Sequence, residues 1–390
     1  MLEADISSQP QLADDARRVA SAFRRRFAAD PRVFQAPGRI NIIGEHTDYN
    51  GGLVMPAAID RRCLVAVAHN SEHAISVVSS NLKAEAHISL RRLVPIGQWP
   101  DYVAGVAASL IKAGVPVPGC NIWIESGVPI GAGVSSSAAL EVALARAFTS
   151  LAGVDADGLS IARWAQEAEN NYVGMPCGIM DQYASANGVE DCALVLDCRT
   201  LKSEVAPLPA EFGFLLVNSM VRHAHATGEY RRRREECEFA AKALNVRDLG
   251  EISEPTLAAA LRRLPEGPAR RCRHVVTEIA RVRAGAEYLS AGNIAALGRA
   301  MNASHASLRD DMEVSVEPVD ALVAIAQETP GVIGARMMGG GFGGCVIALV
   351  PAPAANRILE EIVERYAARI GEPPDAFICR AVAGAGEILL

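Results

Sequence analysis

The stretch that decides the fold is GVPIGAGVSSSAALEVA, from Gly127 to Ala143. Three glycines come before a run of three serines, and a long apolar segment follows. Glycines let a backbone approach a ligand closely, and the free N–H groups and the dipole at the start of a helix favour an anion. A plain N-capped helix would explain one serine and one glycine. Three of each predict a phosphate-binding loop that opens a helix.

This loop differs from two common phosphate-binding motifs. The Walker motif needs a lysine after its glycines, and none follows here. Gly131, Gly133 and Ser136 nearly match a Rossmann fingerprint, which should lead to a second strand ending in an acidic residue, but a further helical pattern follows instead. The run GGGFGG at 339–344 has similar spacing but precedes the apolar strand CVIALV. It therefore predicts a tight turn where the backbone approaches a partner.

Working outward from the loop, strand-like and helix-like segments alternate along the chain, which indicates an α/β or α+β protein. A chain of 390 residues is too long for one ordinary core. We therefore expect two domains, at residues 1–205 and 206–390.

The overall composition narrows the possible partners and the compartment. A formal net charge of −7 argues against nucleic acid as the main partner. No apolar run approaches the length of a membrane span, and the acidic first residues lack a signal-peptide pattern. Nine cysteines with no C-x-x-C spacing indicate reduced thiols. We expect a cytoplasmic protein with no membrane partner.

A second polar cluster lies in GRINIIGEHTDYNGG, from Gly38 to Gly52. Glu45, His46 and Asp48 follow an apolar strand and stand between two glycine turns. They could hold a metal, perform acid/base chemistry, contact a polar ligand or form an exposed loop. A metal centre is the weakest of these options, because no second histidine or cysteine stands at ligand spacing.

Two acidic residues in EAENNYVGMPCGIMDQ are further candidates. Glu169 lies near a predicted helix end, and Asp181 follows a Pro-Cys-Gly turn. One carboxylate beside a nucleotide could hold magnesium, and another could orient or deprotonate an attacking hydroxyl. Taken singly, each is an ordinary surface or capping residue.

Four motifs in order resemble those of the GHMP kinases, which phosphorylate small alcohols with ATP. They are APGRINIIGEHTDYNGG, PIGAGVSSSAALEVA, GMPCGIMDQ and MMGGGFGGC, and the first resembles the galactokinase signature. The resemblance spans nearly the whole chain. It implies an α+β (α/β two-layer) fold, with an N-terminal ribosomal S5-like domain and a C-terminal ferredoxin-like domain. The active site is expected in the cleft between them.

The resemblance also implies a role for each matching residue. Asp181 matches the catalytic base, and Arg39 matches the arginine that stabilises the transition state. Ser137 and Glu169 match the ligands of Mg²⁺. The sugar contacts are expected at Glu45, His46, Asp48, Gly178 and Tyr230. The ATP phosphate loop is expected at Gly131, Ala132, Gly133, Val134, Ser135, Ser136 and Ser137.

The implied activity is phosphorylation of the C1 hydroxyl of α-D-galactose by ATP. It would yield galactose 1-phosphate and ADP, in the first step of galactose breakdown by the Leloir pathway. The partners would be the small molecules galactose and ATP, and the enzyme would be a monomer. The alternatives are a kinase for another sugar, such as N-acetylgalactosamine or arabinose, and a non-catalytic sensor of galactose and ATP.

Overall fold

The computed structural model describes residues 10–222 and 226–390. Within these ranges the strands, numbered β1 to β13 in chain order, are Arg32–Asn41, Leu53–Val54, Pro56–His69, Ala74–Ser79, Ala84–Ser89, Cys120–Ser126, Cys192–Asp197, Lys202–Pro207, Phe212–Arg222, Gly334–Met338, Gly343–Pro351, Asp375–Cys379 and Gly386–Ile388. The helices, numbered α1 to α11, are Pro10–Phe27, Pro100–Lys112, Ser136–Leu151, Gly158–Glu167, Met180–Asn187, Ala226–Leu244, Glu254–Leu261, Glu266–Ser290, Ile294–Asp310, Glu317–Glu328 and Ala355–Ile370.

Four short helical turns complete the described part of the chain. One is a π-helical turn at Ala168–Val173, which continues directly from α4. The others are 3₁₀ turns at Asp48–Asn50, Leu249–Glu251 and Ala352–Ala354. None of the helices in the described ranges combines the length and the apolar character that a bilayer crossing requires.

The first half of the chain is built on a six-stranded sheet in the order β13-β1-β3-β6-β4-β5. Its pairs are antiparallel except for β4 with β6. Successive residues of a strand face opposite sides of a sheet, and along β1 both sides are buried. Val33 of β1 packs with α1, whereas Phe34 joins the main core that contains α3. The sheet therefore holds β1, and the residues that follow it, rigidly between two helical layers.

The second half contains a four-stranded antiparallel sheet in the order β10-β11-β9-β12. Helices α6 to α11 lie around it, and their apolar faces form a second core with the inner face of the sheet. A smaller sheet of β2, β7 and β8 completes the first half. Helices with largely antiparallel sheets confirm the predicted α+β class.

The division of the chain near residue 205 remains a prediction, but the structure adds one fact about it. Strand β8 ends at Pro207 and β9 begins at Phe212. The terminal strand β13, however, pairs with β1, so Val33 faces Ile388. These last residues thus pair with a strand of the first half, while the predicted boundary itself stays a prediction. Long-range pairing returns them to the first sheet.

Candidate active site

A cavity of about 290 Å³ lies where the two halves of the chain meet. Eight of the residues predicted to act at the site line it together. They come from the first strand, the loop after it, the segments around α5, and α6, and they are Arg39, Glu45, His46, Asp48, Glu169, Gly178, Asp181 and Tyr230. The glycine turn at Gly339–Gly341 forms the opposite wall. The structure thus gathers the predicted catalytic and sugar-contacting groups around one space.

Arg39 and Asp181 form the most strongly connected pair in the cavity. Arg39 lies near the end of β1 and is 4 % exposed, and Asp181 lies in the first turn of α5. Nε and Nη2 of Arg39 donate to the two carboxylate oxygens of Asp181, each at 3.0 Å. This two-point geometry is the strong form of an arginine–carboxylate pair. It fixes the carboxylate in the cavity, where it can orient an alcohol or accept its proton.

The predicted phosphate loop is attached to this pair. Helix α3 begins at Ser136, as the sequence predicted, and Ser135 before it has a left-handed backbone with φ 61°. Its hydroxyl makes no cap to the helix but donates to Asp181. The carbonyl of Gly133 accepts from Nη1 of Arg39, and that of Val134 accepts from the backbone N–H of Arg39. The loop and the Arg39–Asp181 pair are therefore one hydrogen-bonded unit.

The remaining loop residues shape its path. Gly131 and Gly133 have left-handed backbones, with φ of 75° and 73°, while Ala132 is buried. A side chain on Gly339 would lie 3.5 Å from the Cα of Gly133. The glycine turn of the second half thus lies directly against the phosphate loop, as expected for a backbone that closes a site.

The loop from Gly44 to Gly52, here called the sugar loop, is held by its own polar side chains. Thr47 donates to the carbonyls of Gly44 and Leu53, and Asn50 donates to the carbonyl of His46 at 2.8 Å. Neither side chain lines the cavity. They close the turn, so that Glu45, His46 and Asp48 face the cavity together.

Glu45 is only partly available to a sugar. Its Oε1 accepts from Arg336 at 3.2 Å and from the backbone N–H of Gly339 at 2.9 Å. Arg336 is fully buried and also donates to the carbonyls of Asn41 and Ile42. The sequence prediction treated Glu45 purely as a sugar contact. The structure gives it a second function as a bridge between the two halves, and leaves Oε2 as the oxygen that can face a ligand.

Asp48 lies against Gly178 and beside the carboxylate of Asp181. Burial, and then the nearby charge of Asp181, raise the pKa of Asp48 to about 7. A side chain on Gly178 would come within 1.8 Å of Oδ2 of Asp48. Gly178 is therefore required as the residue that leaves room for this carboxylate.

Replacement of Gly178 by alanine is expected to weaken binding of galactose, the substrate that the sequence motifs imply. The added methyl group overlaps Asp48, and such overpacking costs about 1–3 kcal/mol. We expect the KM for galactose to rise roughly tenfold, with the KM for ATP little changed. Steady-state kinetics of the variant with each substrate varied in turn will check this. The matched control is Gly267→Ala, where a methyl group meets no atom within 4 Å. An unchanged galactose KM in Gly178→Ala would contradict the assignment.

Tyr230 reaches the cavity from α6 in the second half. Its ring centroid lies 5.5 Å from that of His46 and 5.9 Å from that of Tyr49. Aromatic rings at such distances form a packed cluster. The segment 223–225, which leads to Tyr230, lies outside the described residues. Its ring contacts place Tyr230 against the sugar loop, while its predicted contact with the sugar stays a prediction.

Ser137 and Glu169 lie together, as a shared metal site requires. The hydroxyl of Ser137 hydrogen-bonds to Glu169, which lies in the π-helical turn. Burial raises the pKa of Glu169, and Gln182 donates to its Oε2. Glu141, fully buried beside it, has one carboxylate oxygen without a hydrogen-bond partner in the described residues. This set of hard oxygen donors suits Mg²⁺.

The structure also bears on the weak metal-centre hypothesis for the sugar loop. Within 10–222 and 226–390, no group of three or more His, Cys, Asp or Glu side chains is arranged to hold a metal ion. Glu45 and His46 are instead engaged by Arg336 and Tyr49.

Several residues that hold the sugar loop were missed from the sequence. Glu278 on α8 accepts from the backbone N–H of Gly44 at 2.9 Å, and His274 on the same helix bonds the carbonyl of Glu45 at 3.0 Å. Arg336 supplies the third contact. A charged residue inside the apolar run GARMM was the available signal for Arg336, because a buried charge needs partners.

Comparisons with known proteins agree with this arrangement. A protein-family model described as "Galactokinase galactose-binding signature" matches residues 21–69. The GHMP kinase N-terminal and C-terminal domains match residues 101–189 and 286–368. The fold and the site therefore define a GHMP kinase.

Full-length relatives narrow this class. A galactokinase from Roseiflexus sp. (strain RS-1) is 40% identical over 382 residues, which cover 96% of this chain and 98% of the relative. The chain belongs to the galactokinase family. Lactococcus lactis galactokinase, solved in complex with galactose, superposes with a TM-score of 0.91 at 32% identity and covers 95% of this chain and 99% of that one. A Methanococcus jannaschii mevalonate kinase, at 19% identity and a TM-score of 0.67, shares the fold.

Proposed function

We propose that this enzyme transfers the γ-phosphoryl group of ATP to the C1 hydroxyl of α-D-galactose, giving galactose 1-phosphate and ADP. The observation that carries the proposal is the cavity itself. The Arg39–Asp181 pair lines this cavity, and hydrogen bonds join the pair to Gly133 and Ser135 of the phosphate loop. The other wall of the cavity is the sugar loop, with Glu45, His46 and Asp48. An alcohol held by the sugar loop would lie between a carboxylate and a bound nucleotide.

Asp181 would act as the base, and Arg39 would serve two purposes. Phosphoryl transfer requires alignment and charge neutralisation more than covalent chemistry. The carboxylate of Asp181 would orient the C1 hydroxyl and accept its proton. The guanidinium of Arg39 uses three of its five N–H groups on Asp181 and Gly133. The other two are free to meet negative charge that develops on the phosphoryl oxygens.

Ser137 and Glu169 would hold Mg²⁺, and the loop from Gly131 to Ser137 would hold the phosphates. Bound there, the ion would offset phosphate charge. Gln182, by donating to Glu169, would keep that carboxylate in place. Backbone N–H groups at the start of α3 would point at the phosphates, because the first turn of a helix leaves them free.

Galactose is expected to be strongly preferred over glucose, its C4 epimer. A site built to hydrogen-bond several hydroxyls rejects an analogue that leaves buried groups unpaired, and the sugar loop presents three such groups. We expect kcat/KM for glucose to be lower by about 10³-fold or more. ADP release measured with galactose, glucose, N-acetylgalactosamine and arabinose will check this. Comparable rates with any other sugar would favour the alternative of a broader sugar kinase, and no ADP release with galactose would favour a sensor.

We also propose that the enzyme works as a monomer in the cytoplasm, with ATP and galactose as its partners. The acidic composition and the scattered cysteines support this proposal. Sedimentation of the purified chain at micromolar concentration tests the monomer. A stable dimer in that experiment would contradict it.

A further inference from the structure

Tyr49 occupies a fixed place between the sugar loop and α6. Its hydroxyl lies 2.8 Å from Nδ1 of His46. Its ring meets those of His46 and Tyr230 edge-on, with interplanar angles of 88° and 69°. The guanidinium of Arg234 lies 5.7 Å from the centroid of the Tyr49 ring, within the range of a cation–π contact. These contacts hold the phenol against His46, with Cys237 also within hydrogen-bonding reach of its hydroxyl.

His46 is a buried and neutral imidazole. It is 4 % exposed, and burial, followed by repulsion from His274, lowers its pKa to about 3. A neutral imidazole has one nitrogen that donates and one that accepts. The partner of one nitrogen therefore decides what the other can do. Nε2 is buried and has no hydrogen-bond partner within the described residues, and the residue lines the cavity.

Two features favour a hydrogen bond that runs from Tyr49 to His46. Burial raises the pKa of Tyr49 well above its ordinary value, so the phenol keeps its hydrogen. Nδ1 of His46 faces the Tyr49 hydroxyl, while Nε2 has no hydrogen-bond partner within the described residues, so a hydrogen on Nε2 is available to a ligand in the cavity. Glu45 and Asp48, when ionised, only accept hydrogen bonds. Where Asp48 is ionised, a sugar hydroxyl whose oxygen must also accept therefore needs a donor from another side chain in this wall of the cavity.

We propose that Tyr49 is a positioning residue for sugar recognition: its hydroxyl donates to Nδ1 of His46, so that Nε2 carries the hydrogen and donates to a galactose hydroxyl. Tyr49 fixes both the plane of the imidazole and its tautomer. The inference rests on the proposed function in that it takes galactose as the ligand. The tautomer itself is a property of the free enzyme.

The tautomer can be measured without any substrate. The chain has 8 histidines, and ¹⁵N-histidine labelling with long-range ¹H–¹⁵N correlation distinguishes the two tautomers of each. The signal of His46 is identified by its absence in His46→Gln. We expect the Nε2-protonated form in the wild type and a mixture of tautomers in Tyr49→Phe. An Nδ1-protonated His46 in the wild type would overturn the proposal.

Kinetics then test whether the tautomer matters for recognition. Tyr49→Phe removes one oxygen and keeps the ring, and it is expected to raise the KM for galactose about 2- to 12-fold, with kcat and the KM for ATP little changed. In a His46→Gln background the same change should add no further loss, because residues acting through one another are not additive. Additive losses, or an unchanged galactose KM, would refute the positioning role.

The matched control is Tyr366→Phe. Tyr366 is also buried, and its hydroxyl donates to the carbonyl of Ser219 at 3.1 Å, remote from the cavity. Its substitution should leave the KM for galactose unchanged. If the wild type does not turn over galactose, the proposed function fails, and the tautomer measurement still decides separately whether Tyr49 sets the state of His46.

Discussion

Asp181→Asn is expected to lower kcat by about 10³-fold or more, the range in which positioned acid–base groups act. An amide cannot take the proton of the sugar hydroxyl. In the structure both carboxylate oxygens face N–H groups of Arg39, so the amide nitrogen of asparagine would also meet a donor where an acceptor is needed. Galactose binding should persist, because the sugar loop is untouched. Turnover measured by ADP release and binding measured by calorimetry separate the two effects.

The control for this variant is Asp157→Asn. Asp157 caps α4 by accepting from the backbone N–H of Ser160 at 2.6 Å. Asparagine caps a helix about as well as aspartate, so the same chemical change should leave both kcat and stability near wild type. Activity near wild type in Asp181→Asn would remove the assignment of Asp181 as the base.

Arg39→Lys is expected to lower kcat by about 10²- to 10³-fold, comparable to the loss of one preorganised donor in other active sites. Arg39 donates at once to both oxygens of Asp181 and to the carbonyl of Gly133. A lysine ammonium is a point charge and cannot reproduce this planar fork. The carboxylate would lose its fixed orientation, and the phosphate loop would lose its side-chain link at Gly133. Single-turnover measurements at saturating ATP and galactose report the chemical step directly.

The same strand supplies the control. Arg32 on β1 also makes a two-point pair, to Glu387 at 2.7 and 2.6 Å, but it is remote from the cavity. Arg32→Lys should change the melting temperature to a similar or smaller degree and leave kcat unchanged. Equal losses of kcat in the two variants would show that Arg39 acts through stability alone.

The parts of the site that could be predicted from sequence are those encoded locally. The start of α3 at Ser136 follows from glycines, serines and an apolar run that are neighbours in the chain. The turn of the sugar loop follows in the same way, since Thr47 and Asn50 bond within six residues. The α+β class follows from the alternation of elements along the chain.

What could not be predicted depends on contacts between distant residues. Arg336 bonds Glu45 across 291 positions, and Glu278 holds Gly44 across 234. The residues next to Arg336 or Glu278 in the sequence do not indicate which distant residue each one contacts. The return of β13 to the first sheet is of the same kind, because one short terminal strand pairs according to the packing of the whole chain. Ser135 was predicted only as part of the phosphate loop. Its hydroxyl also donates to Asp181, 46 positions away, and the sequence did not predict this contact.

The measurement that tests the central claim most directly is the position of the new phosphate on the product. Galactose and ATP are incubated with the enzyme and magnesium, and the sugar product is examined by ³¹P–¹H correlation NMR. We predict one product, with phosphorus coupled to the anomeric hydrogen at C1 in the α configuration. A phosphate on any other hydroxyl would contradict the proposed reaction.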